Sequence, residues 1–208
     1  MQFLTKILEE IILKTNRMNV RKLTMTGMLS AVATVLMFLN FSVPFMPNYI
    51  KLDFSELPAL IAAFSMGPIS GIAVCLIKNL VNLTFSQTGG VGELCNFILG
   101  VLFVFPAGLI YKKMKSLKGA LIGSLLGALI MAITSVFINY YIIYPIYTAF
   151  MPMEVIIGTY KAILPSVDNL WEALLIFNMP FTFIKGIASV IITFFIYKKL
   201  SPVIKGKY

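Results

Sequence analysis

The sequence contains no histidine and only two cysteines, Cys75 and Cys95. Without histidine, neither a zinc site of the usual His/Cys type nor a Ser-His-Asp catalytic triad can be assembled. Two cysteines in apolar surroundings do not form the disulfide framework that holds small secreted domains together. We therefore expect no metal site and no histidine-dependent enzyme.

Charge is also scarce. Charged residues make up 12% of the 208 residues, whereas hydrophobic residues make up 59%. Soluble domains carry about 25% charged and about 45–50% apolar residues. Half of the usual charge is too little to cover the surface of a soluble globule. The composition therefore predicts an integral membrane protein with the length of one domain.

Six hydrophobic stretches predict an all-α protein with six transmembrane helices. A bilayer core needs about 20 apolar residues per helix, and Gly67-Pro68 divides two shorter stretches into a helical hairpin. The stretches are 23–43, 56–66, 68–85, 93–111, 119–147 and 169–197. Residues 1–17 place Leu and Ile on one helical face and charges on the other, which predicts an amphipathic extension on the membrane surface. The six-helix membrane domain then occupies residues 18–208.

The distribution of charge predicts the topology. Most basic residues fall in three clusters, before the first, after the fourth and after the sixth helix: Lys6, Lys14, Arg17, Arg21, Lys22, Lys112, Lys113, Lys115, Lys118, Lys198, Lys199, Lys205 and Lys207. The opposite loops and nearby helix ends carry Asp53, Glu56, Glu93, Glu154, Asp168 and Glu172. The positive-inside rule then places both termini in the cytoplasm. The net charge of +9 is explained by topology, so we expect no nucleic-acid partner.

Polar residues inside a membrane segment are costly unless they are paired, hydrated or facing a cavity, so each is a candidate for a functional site. Asn178, Thr182 and Lys185 stand at i, i+4 and i+7 and share one face of the sixth helix. Lys185 lies near the middle of this helix, where its ammonium group reaches the interface only with difficulty. A cavity is therefore favoured over a packing face with a snorkelling lysine.

Other polar residues lie at the same predicted end of the helices. They are Lys78 and Asn82, which share one face of the third helix at i and i+4, Glu93 and Asn96 at the start of the fourth, Asn139 beside a tyrosine cluster on the fifth, and Tyr49 and Asp53 in the loop 44–55. Gly90 precedes the fourth helix, where glycines let a ligand approach the backbone and exposed amides offer donors. Each has a structural alternative: headgroup contact for Lys78 and Asn82, helix capping for Glu93, and an interhelical bond for Asn139. A lining of amides, a lysine and aromatic rings suits a planar organic molecule better than a bare ion, which needs rings of carboxylates or carbonyls.

The first helix carries small residues at a spacing of four, Gly27 with Ala31 and Ser30 with Thr34. Small residues let another helix approach closely, and from spacing alone packing inside the protein is favoured over docking of a partner. No G-x-x-x-x-G-K-[ST] motif occurs, so ATP used for transport would be hydrolysed by another protein.

Short motifs together resemble a family. Leu52-Asp-Phe-Ser-Glu-Leu-Pro58, Gly67-Pro68-x-x-Gly71, Lys78-Asn79, Gly92-Glu93-x-x-Asn96-Phe97 and Pro180-Phe181-x-x-x-Lys185-Gly186 resemble the riboflavin-specific substrate-binding (S) subunit of energy-coupling-factor (ECF) transporters. The resemblance covers about residues 18–200. It implies a six-helix, multi-pass protein of a prokaryotic cell membrane that captures riboflavin from outside. It also implies a coupling transmembrane subunit and two cytoplasmic ATPases as partners, and no cofactor.

The resemblance further implies roles for individual residues. Asn139 and Lys185 match the family's riboflavin-binding asparagine and lysine, and Gly27 and Ala31 match the small residues that contact the coupling subunit. Thr182 stands where the family often has asparagine, and Asn178 is the candidate replacement for that amide.

Three alternatives stay open at this point. One is an S component for another vitamin or for a flavin analogue such as flavin mononucleotide. Another is an integral membrane enzyme in which Glu93 and Lys185 act as acid and base, although no nucleophile–base pair or metal set accompanies them. The third is a structural or assembly protein whose intramembrane polar residues only join helices.

Overall fold

The computed structural model describes residues 19–86 and 88–196 fully and, for helical residues 2–18 and 197–205, the backbone alone. The helices are α1 (Gln2–Phe38), α2 (Glu56–Met66), α3 (Pro68–Leu83), α4 (Val91–Lys113), α5 (Leu117–Ile138), α6 (Tyr144–Tyr147), α7 (Met153–Lys161), α8 (Leu170–Ala173) and α9 (Met179–Lys205). Two π-helical turns, π1 (Asn139–Ile143) and π2 (Leu174–Asn178), join α5 to α6 and α8 to α9. The predicted surface helix at 1–17 lies outside the fully described residues.

Four helical stretches are long and apolar enough to span a membrane. They are Asn19–Phe38, Val91–Lys113, Leu117–Tyr147 and Leu170–Ile196. Many large apolar side chains of these stretches point outward, among them Val32, Leu129 and Ile184. An apolar exterior on this scale is unfavourable in water and favourable in lipid. The prediction of a helical membrane protein is therefore confirmed, with four long apolar helices.

The predicted α2–α3 hairpin is present, with the break at Gly67 and Pro68. α2 has 11 residues and α3 has 16, so α2 extends over only about 17 Å, well short of the roughly 30 Å hydrocarbon core. Residues 56–64 of α2 are all buried within the protein. α2 is therefore the central helix of the bundle, surrounded by α1, α3, α4 and α9.

Glycines allow the closest helix contacts. A Cβ atom on Gly71 of α3 would lie 2.8 Å from Cβ of Ala63 on α2, closer than two carbon atoms can pack without shifting. Gly127 of α5 lies against the backbone carbonyl of Phe103 on α4 in the same way. These two positions fix how closely α2 packs on α3 and α4 on α5.

The loops contain structure that the sequence analysis did not predict. Phe41–Ser42 pairs antiparallel with Lys51–Leu52, so a short β-hairpin interrupts the all-α prediction. The first helix ends at Phe38, whereas the prediction ran to residue 43, because the chain turns into this hairpin. The helix α7 lies between the fifth and sixth predicted segments.

Each π-helical turn ends two residues before a proline. In π1 the N–H of Tyr144 donates to the carbonyl of Asn139, and Pro145 follows. In π2 the N–H of Met179 donates to the carbonyl of Leu174, and Pro180 follows. A proline inside a helix has no N–H and crowds the carbonyl four residues earlier. In a π-helical turn the N–H bonds the carbonyl five residues earlier, and this wider turn relieves the contact with the proline. Such turns are frequent at functional sites.

Candidate functional site

A cavity of about 840 Å³ opens at one end of the bundle. Its walls are the last residues of α1 and α3, the first two turns of α4, the end of α5 with π1 and α6, and π2 with the start of α9. The loop between α1 and α2 forms a further part of the wall. The loop that carries Lys112 to Lys118 joins the opposite ends of α4 and α5. The cavity and this basic loop therefore lie at opposite ends of the bundle.

Most of the predicted candidates converge on this cavity. Those that line it are Tyr49, Asp53, Asn82, Glu93, Asn96, Asn139, Asn178, Thr182 and Lys185. They come from the loop 44–55 and four separate helical stretches, which a shared polar cavity explains and independent helix contacts do not. Lys78 and Gly90 do not line it, and their positions are described below.

Lys185 forms an ion pair at the cavity wall. Its Nζ lies 2.8 Å from Oδ2 of Asp53, and the two side chains are 12% and 5% exposed. Oδ1 of the same carboxylate accepts hydrogen bonds from the backbone N–H and the hydroxyl of Ser55. Burial raises the pKa of the Asp53 carboxyl, but the charges of Lys185 and Lys78 and the hydrogen bonds from Lys185 and Ser55 outweigh it, so the pKa lies well below its ordinary value of 3.8. Asp53 is therefore a carboxylate that holds the lysine in place.

A second ion pair lies beside the first, with Glu56 at the cavity wall and Lys78 behind it. Nζ of Lys78 is fully buried and donates to Oε1 of Glu56 at 2.6 Å, to Oγ of Ser55 at 2.6 Å and to Oδ1 of Asn96 at 3.3 Å. Lys78 had been expected to face the cavity or the headgroups. It does neither, because its three donors are satisfied inside the protein. Ser55 connects the two pairs, since it also donates to Asp53.

Glu93 closes the loop between α3 and α4. Its carboxylate accepts from Nδ2 of Asn82 at 3.1 Å, from the hydroxyl of Ser86 at 2.7 Å and from the hydroxyl of Thr88 at 3.2 Å. The N–H of Gly90 donates to the hydroxyl of Ser86 at 2.9 Å. Gly90 was expected to offer this amide to a ligand, and the structure corrects that expectation because the amide is used within the loop.

Gly89 and Gly90 instead allow the backbone conformation of this loop. Gly89 and Gly90 have φ angles of +62° and +89°, which L-residues with side chains rarely adopt. A Cβ atom at Gly89 would also meet the ring of Phe150 at 2.8 Å. The two glycines are therefore needed to start α4 where Glu93 can reach the loop.

Asn139 is buried at the start of π1. Its Nδ2 donates to the carbonyl of Ser135 at 2.7 Å, and its Oδ1 lies 3.6 Å from the thiol of Cys95. Cys95 also lines the cavity, whereas Cys75 is fully buried and its thiol lies 3.7 Å from Glu56. Among the described residues, no group of three or more His, Cys, Asp or Glu side chains is placed to hold a metal ion.

Five aromatic residues that were not predicted individually also form part of the cavity wall. Phe38, Phe85, Tyr144, Tyr147 and Phe181 line it. Phe181 was visible as the residue next to Pro180, and the tyrosines had been assigned only as a cluster beside Asn139. No sequence signal marked Phe38 and Phe85. Their ring centroids lie 5.3 Å apart in an edge-to-face contact, which arises from the packing of α1 beside the end of α3.

Comparison with known proteins identifies the family. The family described as ECF transporter, substrate-specific component, matches residues 21–197. The chain is 40% identical over 188 residues to riboflavin transporter FmnP of Bacillus subtilis (strain 168), covering 89% of this chain and 94% of that protein. It is 36% identical over 192 residues to riboflavin transporter RibU of Staphylococcus aureus (strain TCH60), covering 92% and 96%. The chain belongs to the substrate-specific components of ECF transporters.

A solved structure shows the same fold. The S component of a bacterial ECF transporter matches with a TM-score of 0.72 at 35% identity, over 90% of this chain and 99% of that one. The resemblance inferred from the short motifs is therefore confirmed. This S component is a membrane transport subunit and not an enzyme, so the assignment of Glu93 and Lys185 as acid and base is dropped.

The first helix of the S component presents one exposed small-residue surface. Gly27 and Ala31 are exposed, and a Cβ atom on Gly27 would have no neighbour within 4 Å. Ser30 is 1% exposed and donates to the carbonyl of Thr26 inside the bundle. Thr34 is half-buried and donates to the carbonyl of Ser30. The predicted docking set is corrected at Ser30, because this residue lies with Thr26 and Ala33 on the side of α1 that is buried in the bundle.

Proposed function

We propose that this S component captures riboflavin in the cavity and delivers it through an ECF module. Two relatives that cover most of the chain are named riboflavin transporters. The observation that carries the proposal is the convergence of amide, lysine and aromatic side chains on one cavity at the end of the bundle. Riboflavin is the transported ligand in this scheme, and no cofactor takes part.

The cavity has the size and chemistry for such a ligand. Its volume of about 840 Å³ falls within the range of small-molecule pockets, about 300–1,000 Å³. The rings of Tyr144, Tyr147 and Phe181 offer stacking surfaces for a planar ring system. Asn139, Thr182 and Lys185 carry the groups that bond its heteroatoms, and Asn82, Asn96 and Tyr49 lie at the same walls.

The topology follows from charge and from the position of the cavity. The S component crosses the plasma membrane six times, with α2 and α3 as its two short spans and both termini in the cytoplasm. The basic loop at Lys112 to Lys118 then lies inside the cell. The cavity at the opposite end opens to the outside. Residues 1–17, at the start of the chain and of α1, form the amphipathic surface extension of the membrane domain at 18–208.

The partners are a coupling transmembrane subunit and two ATPase subunits. The surface around Gly27 and Ala31 docks the coupling subunit, because both residues are small and exposed and allow a helix to approach closely. The remaining exposed apolar side chains of the four long helices face membrane lipid.

Titration of the purified protein with riboflavin in detergent tests the proposal. We expect saturable binding by the wild type and weaker binding by Lys185→Met, since a hydrogen bond from a charged group contributes about 1.5–3 kcal/mol. Lys161→Met is the matched control, because Lys161 pairs with Asp168 at the surface, outside the cavity. A panel with flavin mononucleotide and other vitamins shows which ligand binds best. Absence of riboflavin binding by the wild type would remove the proposal.

A further inference from the structure

The hydrogen bonds of Asn178 point to a residue outside the cavity. Tyr160 of α7 donates its hydroxyl hydrogen to Oδ1 of Asn178 at 2.8 Å. The side chain of Tyr160 is fully buried and does not line the cavity, whereas Asn178 lines it from π2. The inference below rests on the proposed function, because it concerns how the same cavity recognises its ligand.

Three side chains form a closed ring of hydrogen bonds that runs in one direction. Because the hydroxyl of Tyr160 donates to Asn178, its oxygen is the acceptor for the hydroxyl of Tyr144, which lies 2.5 Å away. Nδ2 of Asn178 completes the ring by donating to the oxygen of Tyr144 at 3.5 Å. Each hydroxyl donates once and accepts once within the ring.

The ring holds the Asn178 amide from both sides. Tyr160 occupies the oxygen through a short bond, while the bond from the nitrogen to Tyr144 is long. The nitrogen has two hydrogens, and the described residues accept one of them. Asn178 lines the cavity, so the amide is held there with a donor that remains for a ligand.

We propose that Tyr160 is a positioning residue that holds the amide of Asn178 at the cavity wall, where the amide bonds the ligand. Because both tyrosine hydroxyls can donate or accept, the ring fixes the place of the amide and not which of its two ends faces the ligand. Without the Tyr160 hydroxyl, the short bond is lost and the long bond to Tyr144 remains. The amide is then held less firmly, and its bond to the ligand weakens.

The aromatic side chain of Tyr160 is held in place by packing that does not involve its hydroxyl. It packs edge-on against Tyr49 with centroids 6.5 Å apart and tilted against Phe177 with centroids 5.4 Å apart. Tyr160→Phe therefore removes one oxygen and keeps these contacts. This makes the substitution a test of the hydrogen bond and not of the packing of α7.

A double-mutant cycle on riboflavin affinity tests the proposal. Its variants are Tyr160→Phe, Asn178→Ala and the two combined, with Kd measured by titration in detergent and folding checked by thermal unfolding. We expect Tyr160→Phe to weaken binding about threefold to tenfold, the range for one hydrogen bond. In the Asn178→Ala background the same change should leave Kd unaltered, because Tyr160 acts only through Asn178. Ser135→Ala is the control, since it removes a buried hydroxyl that bonds the carbonyl of Ala132 within α5.

The outcomes separate this inference from the proposed function. Equal losses from Tyr160→Phe in both backgrounds would show a general structural effect and overturn the inference. So would unchanged affinity in Tyr160→Phe or in Asn178→Ala while the wild type binds riboflavin. If Tyr160→Phe does not fold, the affinity of Asn178→Ala decides alone, with a loss in support and no loss against. A wild type that binds no riboflavin overturns both the inference and the proposed function.

Discussion

The pair formed by Lys185 and Asp53 allows the sharpest test of how the cavity wall is held. Lys185→Met removes the cation and leaves the Asp53 carboxylate, only 5% exposed, without its direct partner at 2.8 Å. Removing one member of a buried ion pair costs about 3–5 kcal/mol, because the other charge stays desolvated. Asp53→Asn is expected to do similar damage by leaving Lys185 uncompensated. The double variant removes both charges and should recover most of the lost stability.

Thermal unfolding in detergent measures this effect. For a chain of this length about 3 kcal/mol corresponds to a fall in Tm of roughly 6 °C or more. Lys161→Met is the control, because the pair of Lys161 with Asp168 is exposed and its N–O distance is 3.4 Å. Exposed pairs contribute about 0–1 kcal/mol, so its Tm should fall by no more than about 4 °C.

Two results would refute this reasoning. Equal shifts for Lys185→Met and Lys161→Met would mean that the pair at the cavity is as well solvated as the surface pair. A double variant whose Tm falls by the sum of the two single shifts would mean that Asp53 and Lys185 act independently. Either result would remove Asp53 as the residue that holds the lysine.

Three further predictions concern docking, packing and pH. Gly27→Leu should leave riboflavin affinity unchanged but reduce uptake by cells, since the exposed docking surface lies away from the cavity; equal loss of binding would contradict this. Gly127→Ala should lower Tm because its methyl group meets the carbonyl of Phe103, whereas Gly158→Ala, with nothing within 4 Å, should not; similar Tm values would contradict the packing. The Asp53 carboxyl has a folded pKa below its unfolded value, so its stabilisation is full above about pH 5 and is lost as pH falls further. The Tm difference between wild type and Asp53→Asn should therefore be constant from pH 7 to pH 5 and shrink in stronger acid.

The cavity residues show how far the sequence could be interpreted. Asn178, Thr182 and Lys185 were predicted to share a face because their spacing matches the helical period, and all three line the cavity. Lys78 and Asn82 were assigned one face by the same argument, yet only Asn82 reaches the cavity. Helical spacing gives the face on which a residue lies, but not which side chains of other elements meet it. Glu56 and Ser55 on neighbouring elements decide that Lys78 is paired inside the protein.

Composition and apolar length by themselves determined that this protein belongs in a membrane and located its four long helices and the α2–α3 hairpin. Apolar length and the placement of lysines act locally along the chain, so neither needs knowledge of distant contacts. The order of the short motifs likewise sufficed for the family.

Tertiary structure alone decided which polar groups face the cavity and which face one another. The pairing of Asp53 with Lys185 joins residues 132 positions apart, and the ring of Tyr144, Tyr160 and Asn178 depends on α7 folding back against π2. A buried donor or charge is stable only when a partner meets it at hydrogen-bond distance. Which side chain becomes that partner is set by how the helices pack, and periodicity along a single helix carries no record of it.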